Sequence, residues 1–456
     1  MINPISDTIV ALSTPPGTGA IAVIRLSGED AVSIVDTLFP GKKLACQPSH
    51  TAHYGTIQHE GKIIDEVVTT LFLAPHSFTR ENVVEISCHG SPFIVQKLLQ
   101  LLVQQGARLA TPGEFTKRAF LHGRFDLAQA EAVADLIASE SQRAHQAALN
   151  QMRGGFSQQI QGLREQLIQF ASLIELELDF SEEDVEFADR EQLKRLIEDI
   201  SQVITELLKS FEAGNVIKNG VPTVIAGKPN AGKSTLLNAL LNEEKAIVSD
   251  VPGTTRDFIE DEITLEGVSF RFIDTAGIRE TEDTIEVLGV QRTHQKIEQA
   301  AVILYLVDLT QETRETILKQ EEWLVQLGKP FILVGNKMDK GPSELIAWLK
   351  EKQQTACISA ESKTDLEGLR RQLTELLGIH KLDTEGAIIT NTRHYTGLSR
   401  TLEALESILD GLKVGITHDF LAQDIRHALH YLGEITGEIT NEDLLDTIFS
   451  KFCIGK

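Results

Sequence analysis

Cysteine is scarce in this chain: four in 456 residues, at Cys46, Cys88, Cys357 and Cys453, far apart and with no C-x-x-C pair. That excludes a disulfide framework and any zinc site legible from spacing, so small buried thiols are expected for most of them. Cys453 stands where a prenylated cysteine would, but Gly455 fills an aliphatic slot and Lys456 closes the tail, which excludes a lipid anchor. Basic residues are also in deficit. Against 66 Asp and Glu there are 43 Lys and Arg, a formal net charge of −23. A surface built throughout to wrap a polyanion is excluded, and only a local basic patch remains open. Long apolar runs are missing as well: no window holds the ~18 consecutive apolar residues of a membrane span. The opening MINPISDTIV has neither a basic stretch nor an apolar core of secretory type, so a cytoplasmic chain is expected.

What is present is ordinary globular material, 42% hydrophobic and 24% charged. At roughly 100 to 200 residues per domain, the length predicts two to four domains. Residues 1–118 mix apolar runs at Ile9 to Leu12, Ala20 to Leu26, Val67 to Leu73 and Val83 to Ser87 with a helical stretch near Asp30 to Leu38, which predicts an α+β domain. From Asp126 the period becomes helical, with Leu127, Ala130, Val133, Ala134 and Ile137 on one face, and it continues with breaks to Leu208. The acidic stretch Asp179 to Glu191 reads as a solvated connector. Buried-type strands at Thr223 to Ala226, Phe270 to Ile273, Val302 to Val307, Phe331 to Val334 and Cys357 to Ile358 then alternate with helical segments, as in a doubly wound α/β domain. Helical periodicity resumes from about Thr396 to Phe452. Two helical blocks around a complete α/β unit predict an insertion: 119–214 and 381–456 as one discontinuous helical domain, 215–380 as the inserted domain.

Gly227 to Ser234 fits G-x-x-x-x-G-K-S/T, follows an apolar strand and opens a helical run from Thr235 to Leu241. A chance match is expected in only about one or two per hundred random chains of this length. In such a loop the amides of Asn230, Ala231, Gly232 and Thr235 curl around phosphates at a helix N-terminus. Lys233 places a point charge on the β and γ oxygens, and the Ser234 hydroxyl is suited to Mg²⁺. Asp274, Thr275, Ala276 and Gly277 follow the strand Phe270 to Ile273, where an Asp is suited to Mg²⁺ through water and the Gly277 amide to the γ-phosphate. Asn336, Lys337, Met338 and Asp339 close the next-but-one strand. A carboxylate at Asp339 accepts two parallel hydrogen bonds from guanine N1–H and N2–H, which adenine does not offer, while Lys337 covers the base face. Ser359 and Ala360 are placed to offer a backbone N–H to guanine O6. These four elements resemble the GTPase set of the translation-factor-related P-loop class, and they argue against a P-loop kinase or ATPase.

The hydrolytic group is less standard. Ile278 stands where Ras-like enzymes carry the water-orienting Gln, which leaves Arg279, Glu280, Glu282, Asp283 and Glu286 as candidates or as plain helix-cap charges. Gly253, Thr254, Thr255, Arg256 and Asp257 resemble a switch loop whose Thr completes the Mg²⁺ shell. Arg256 reads either as an internal arginine finger or as a salt-bridge residue.

P-N-A-G-K-S at 229–234, G-T-T-R-D at 253–257, D-T-A-G-I-R-E at 274–280 and the terminal F-C-I-G-K at 452–456 resemble the tRNA modification GTPases of the MnmE (TrmE) family. The front carries D-T-I-V-A at 7–11, T-P-P-G at 14–17, P-G-E-F-T-K-R-A-F-L at 112–121 and D-L-A-Q-A-E-A at 126–132, so the likeness runs the whole length. The resemblance implies a K⁺ ion held by Asn230 and by the loop of Ser249, Val251 and Thr254, with Asp250, Pro252 and Gly253 around the nucleotide. It implies Mg²⁺ on Ser234 and Thr255, and a catalytic set of Lys233, Asn230 and Glu286, with Glu286 orienting water through another group. G domains pair across a homodimer. The front domain is implied to bind a tetrahydrofolate derivative, 5-formyl or 5,10-methylene, through Arg25, Glu85, Arg124 and Lys456, with Cys453 either a nucleophile or a packed thiol. At position 124 the family commonly has Lys. The implied reaction installs a carboxymethylaminomethyl or aminomethyl group at C5 of the wobble uridine in certain tRNAs, jointly with the FAD-carrying flavoprotein MnmG in a heterotetramer. Lys117, Arg118 and Arg124 are the expected local patch for tRNA. The alternative is a ribosome-assembly or RNA-binding switch GTPase, against which the acidic chain and the F-C-I-G-K terminus weigh.

Overall fold

The computed structural model describes residues 7–179, 190–244, 261–273, 297–378, 388–414 and 418–456. By compactness the chain divides into two units, one of residues 1–137, 150–205 and 396–456, the other of residues 138–149 and 206–395.

In the first unit six strands form one sheet: β1 (Ile9–Leu12), β2 (Ile21–Ser27), β3 (Thr51–His59), β4 (Lys62–Phe72), β5 (Val83–His89) and β6 (Arg108–Leu109). Their order is β3-β4-β5-β2-β1-β6, antiparallel except where β6 runs beside β1. The four apolar runs read from the sequence fall on β1, β2, β4 and β5; β3 and β6 are additions. Period-two alternation sends Ala22, Ile24 and Leu26 of β2 and Val84, Ile86 and Cys88 of β5 to one face. There they pack against Val95, Leu98, Leu101 and Leu102 of helix Pro92–Gln104 and against Ala31, Ile34 and Val35 of helix Ala31–Asp36. The same alternation places Arg25 and Glu85, direct cross-strand partners, on the opposite face.

β3 and β4 are joined by Glu60 and Gly61, at φ of 49° and 74°. Two successive positive φ values make the type I′ turn whose twist suits a tight hairpin. Four of the helices that follow bind the two ends of this unit together. Helix His418–Thr436 packs along Gly155–Asp179, where Arg164 pairs with Glu438. Leu127 and Ala130 of helix Leu127–Ala138 share a core with Leu445, Ile448 and Phe449 of helix Glu442–Phe449. Segments on either side of the α/β unit thus form common cores, as expected of a discontinuous helical block.

In the second unit β7 (Val221–Gly227), β8 (Asp261–Leu265), β9 (Val268–Phe272), β10 (Val302–Asp308), β11 (Phe331–Asn336) and β12 (Thr355–Cys357) form a sheet ordered β12-β11-β10-β7-β9-β8. All neighbours are parallel except β8 with β9. β11 is buried along its whole length, the mark of a strand covered on both faces. The order reverses at β7, so its C-terminal end opens a crevice of the kind in which α/β sheets hold ligands. β8 was not among the expected strands. Its hairpin to β9 again turns on a Glu-Gly pair, Glu266 and Gly267, at φ of 50° and 78°.

Candidate functional site

The loop from Gly227 to Lys233 leaves β7 at that switch point and runs into helix Lys233–Glu244. Gly227 has φ +146°, and a Cβ there would run into the Leu306 carbonyl oxygen; Gly232 has φ +98°, and a Cβ there would strike the Asn336 amide. Only glycine fits such a combination of dihedral and space. The Lys233 ammonium curls back over the loop, donating to the carbonyls of Gly227 at 3.0 Å and Lys228 at 2.9 Å. Burial alone pushes its pKa down. Ser234 lies in the first turn of the helix, half-buried, and Thr235 is exposed.

At the end of β11, Asn336 is 2% exposed and works as a brace: its Nδ2 donates to the Ala231 carbonyl at 2.8 Å, and its Oδ1 accepts from the Ala360 amide at 3.0 Å. The phosphate-binding loop, the N-K-x-D segment and the Ser359–Ala360 segment are thereby locked to one another. Lys337, at φ +62°, donates to the Asn230 carbonyl at 3.2 Å and to Asp308 Oδ2 at 2.7 Å. Asp339 is exposed, and a hydrogen bond from the buried Ser359 hydroxyl holds its carboxyl below the usual value. A carboxylate fixed in its ionised form and aimed by one buried hydroxyl is an acceptor-only group, suited to two adjacent N–H donors.

Of the expected nucleotide residues, the structure therefore brings Asn230, Ala231, Gly232, Lys233, Ser234, Thr235, Asn336, Lys337, Asp339, Ser359 and Ala360 to one end of the second sheet. Ser249, Asp250, Val251, Pro252, Gly253, Thr254, Thr255, Asp274, Thr275, Ala276, Gly277 and Glu286 lie outside the described residues. So do Arg256, Asp257 and the other candidate water-orienting residues.

In the first unit Arg25 and Glu85 form an ion pair at 2.7 Å, with side chains 21% and 26% exposed. The same guanidinium donates to the Gly455 carbonyl at 3.2 Å and stands 5.8 Å over the Phe115 ring. The terminal segment is held there by close packing: a Cβ on Gly455 would strike the Leu12 carbonyl, and Gly113 donates its amide to the Cys453 carbonyl at 3.3 Å. Arg25, Glu85 and the Cys453 to Lys456 segment thus meet across most of the chain length. Arg124 is placed 5.4 Å over Phe78, donating to the Ser77 carbonyl. Phe78 packs on the small cluster of Ile9, Ala11, Ala110 and Phe115, so the two arginines lie over two rings of one apolar cluster. Cys453 is exposed, as is Cys46, while Cys88 and Cys357 are buried; burial drives both buried thiols up to about 11. The expectation of buried thiols holds for two of the four.

One expectation is overturned. Arg118 cannot belong to a basic surface patch, because its side chain is 0% exposed and its guanidinium is bound by Asp7 at 2.6 Å, Glu114 at 3.0 Å and Glu81 at 3.1 Å. Lys117 is likewise engaged, with Asp446 at 2.6 Å. Arg118, neutralised inside the fold, releases no counterions from a phosphate backbone.

The model described as the MnmE helical domain matches residues 127–453, and that described as the GTP-binding protein TrmE N-terminus matches residues 8–124. The chain is 58% identical over 451 residues to the tRNA modification GTPase MnmE of Cytophaga hutchinsonii, covering 99% of this chain and 98% of that one. It is 52% identical to the MnmE of Christiangramia forsetii, over 99% of this chain and all of the relative, and 50% identical to that of Bacteroides thetaiotaomicron, over 99% of each. Among solved structures, the FeoB G-domain from Methanococcus jannaschii aligns with 35% of this chain and 97% of that chain at 22% identity and a TM-score of 0.27, too slight a likeness to bear on fold or function.

Proposed function

The chain belongs to the tRNA modification GTPase MnmE family, and from that premise we propose that this GTPase modifies the wobble uridine of certain tRNAs together with a flavoprotein partner, MnmG. The observation that carries the reading is likeness at 58% identity along 99% of the chain, joined to a phosphate loop and an N-K-x-D segment braced by one buried Asn336. The ribosome-assembly alternative leaves the front domain and the terminal F-C-I-G-K without a use.

In this reading the loop amides and the Lys233 ammonium bind the triphosphate, and the desolvated ammonium acts at low local dielectric, where its charge counts most. Ser234 and Thr255 would hold Mg²⁺, and Asn230, Ser249, Val251 and Thr254 would hold K⁺. When bound, the two cations offset charge on the phosphates. What supports Asn230 as a ligand is a fixed position: its left-handed backbone, φ +62°, is held by a hydrogen bond from Lys337 to its carbonyl. Glu286 orients the attacking water through another group. G-domain pairing in a homodimer closes the site, and MnmG completes a heterotetramer in the cytoplasm. The division at residues 118, 214 and 380 belongs to the same proposal.

Arg25, Glu85, Arg124 and Lys456 would hold the folate. The Arg25–Glu85 pair shows both donors and acceptors at one spot beside flat rings, which matches the mixed edge of a pterin. A 5-formyl or 5,10-methylene derivative supplies the one-carbon unit, and FAD on the partner supplies redox chemistry. Cys453, exposed at that same terminus, would be the reactive thiol.

The decisive experiment reads wobble nucleosides in tRNA from cells lacking this chain. The C5 modification is absent, the parent gene restores it, and Arg25→Ala does not, although the purified variant still hydrolyses GTP. A normal nucleoside profile without the chain leaves only the GTPase. The cation assignment has its own test. At equal ionic strength, replacing K⁺ by Na⁺ slows hydrolysis by roughly tenfold or more, on the scale of a lost transition-state contact. Equal turnover in both salts removes K⁺, and with it the role given to Asn230.

A further inference from the structure

Two lysines of the nucleotide site are held by one short turn that belongs to neither motif. β10 ends at Asp308, whose carbonyl accepts from the amides of Gln311 and Glu312, both at 3.0 Å. Thr310 closes the turn from the side, donating its amide at 2.9 Å and its hydroxyl at 2.6 Å to Asp308 Oδ1. One carboxylate oxygen is thus spent inside the turn, and the other faces the Lys337 ammonium at 2.7 Å. At the far end of the turn, Glu312 accepts from the Lys228 ammonium at 2.6 Å. Lys228 is the first variable residue of the phosphate loop, and Lys337 is the lysine of N-K-x-D. Both acids are nearly buried, 7% exposed at the side chain. Burial pushes each carboxyl upward, but hydrogen bonds from Lys337 and Thr310 in one case, and from Lys228 and Thr316 in the other, outweigh it and hold both below their usual values.

We propose that the Asp308–Glu312 turn is a positioning element that holds the base-reading loop and the phosphate loop in a common register, through one ion pair to each. The inference rests on the guanine-site reading. Lys337 and Asn230 both occupy the left-handed region at φ +62°, a conformation that non-glycine residues keep only where the surroundings over-determine it. The Lys337 ammonium bridges them, bonded to the Asn230 carbonyl on one side and anchored by Asp308 on the other. Removing the Asp308 charge loosens the bridge at its fixed end. Glu312 does the same for the outer end of the phosphate loop.

The test measures release of a fluorescent GDP from the full chain, with steady-state GTP hydrolysis beside it. Asp308→Asn keeps the acceptor that Thr310 uses but turns the oxygen facing Lys337 into an N–H₂ donor, so that bridge loses both its charge and its acceptor. GDP leaves about tenfold faster, the size of one lost charge-assisted hydrogen bond, and KM for GTP rises more than kcat falls. In a Lys337→Met background the same change adds nothing, because its path is gone. The phosphate arm gives an independent reading that does not touch the base-covering lysine. Glu312→Gln lowers the preference for GTP over inosine triphosphate about threefold, although Glu312 holds only the phosphate loop, and a Lys228→Met background cancels that change too. If the parent chain binds no GDP, the guanine-site reading itself fails. If the parent binds, the proposal is overturned by any of three results: release from Asp308→Asn at the parent rate, an effect that persists without Lys337, or an unchanged GTP-over-inosine preference in Glu312→Gln.

Discussion

Asp339→Asn converts this chain from a guanosine to a xanthosine triphosphate enzyme. On the proposed guanine assignment the parent carboxylate offers two acceptors to guanine N1–H and N2–H, and the Ser359 hydrogen bond keeps the group ionised. An amide keeps one acceptor but turns the other into an N–H₂ donor, which confronts the guanine amino group donor to donor. Xanthine has a carbonyl oxygen at that place, so the same amide now finds an acceptor there. Sites built around such hydrogen bonds reject a mismatched partner by large factors, because a polar group is left unpaired on both sides. GTP affinity falls by about a hundredfold or more, and xanthosine triphosphate gains correspondingly. The side chain is exposed, so thermal stability without nucleotide stays at the parent value, which separates the effect from misfolding. Competition binding with both nucleotides checks it, and an unchanged preference for GTP removes Asp339 from the base site.

Much of this architecture is legible in the bare sequence, and the places where it is not share a cause. β7, β10 and β11 are near-continuous apolar runs because helices cover both sheet faces, so a run of four to seven apolar residues is itself the signal. β3 and β8 escape that signal. β3 carries Gly55, two His, two Thr and a Gln among its nine residues, and β8 pairs two acids with only two buried positions. Both, however, border a Glu-Gly pair that turns in the I′ form, and a search for two-residue connections between alternating segments finds both hairpins. The phosphate loop and N-K-x-D segment could be read because their chemistry is packed into eight and four consecutive residues. The brace between them could not: Asn336 reaches Ala231 across 105 positions, and Asp308 reaches Lys337 across 29. Arg118 is the sharpest case. Beside Lys117 in sequence it reads as part of a basic patch, and only the fold puts Asp7, 111 positions away, against its guanidinium.

That buried guanidinium carries the largest stability effect expected in the first unit. Arg118 is the hub of five charges: it binds Asp7, Glu81 and Glu114, while Arg108 grips Asp7 at 2.7 Å and Glu114 at 2.6 Å from the outside. Glu81 is further fixed by the Ser27 hydroxyl at 2.5 Å. Arg118→Met fills the volume but leaves Glu81, 12% exposed, without its cation, and leaves Asp7 and Glu114 with Arg108 alone. Breaking a buried pair from one side costs about 3–5 kcal/mol, because the remaining charge stays desolvated and unpaired. The calorimetric transition of this unit moves down by roughly 10 °C. The pH dependence identifies the cause. In the parent, burial raises the carboxyls of Asp7 and Glu114, but hydrogen bonds from Arg108 and Arg118 more than reverse it, and both sit below their usual values. A carboxyl lowered in the fold stabilises above its unfolded pKa and loses that stability as pH falls through the folded one, so the parent weakens only below about pH 4. In Arg118→Met the lowering from Arg118 is lost while Arg108 stays, so Asp7 and Glu114 move back toward their unfolded values and the stability they lend above those values shrinks. The gap between parent and variant is therefore full from about pH 5 upward and narrows as pH falls from about 5 to about 3, where these carboxyls protonate in both. A gap that stays constant across that range means the loss is one of packing, with Arg118 acting as a large side chain and not as a charge.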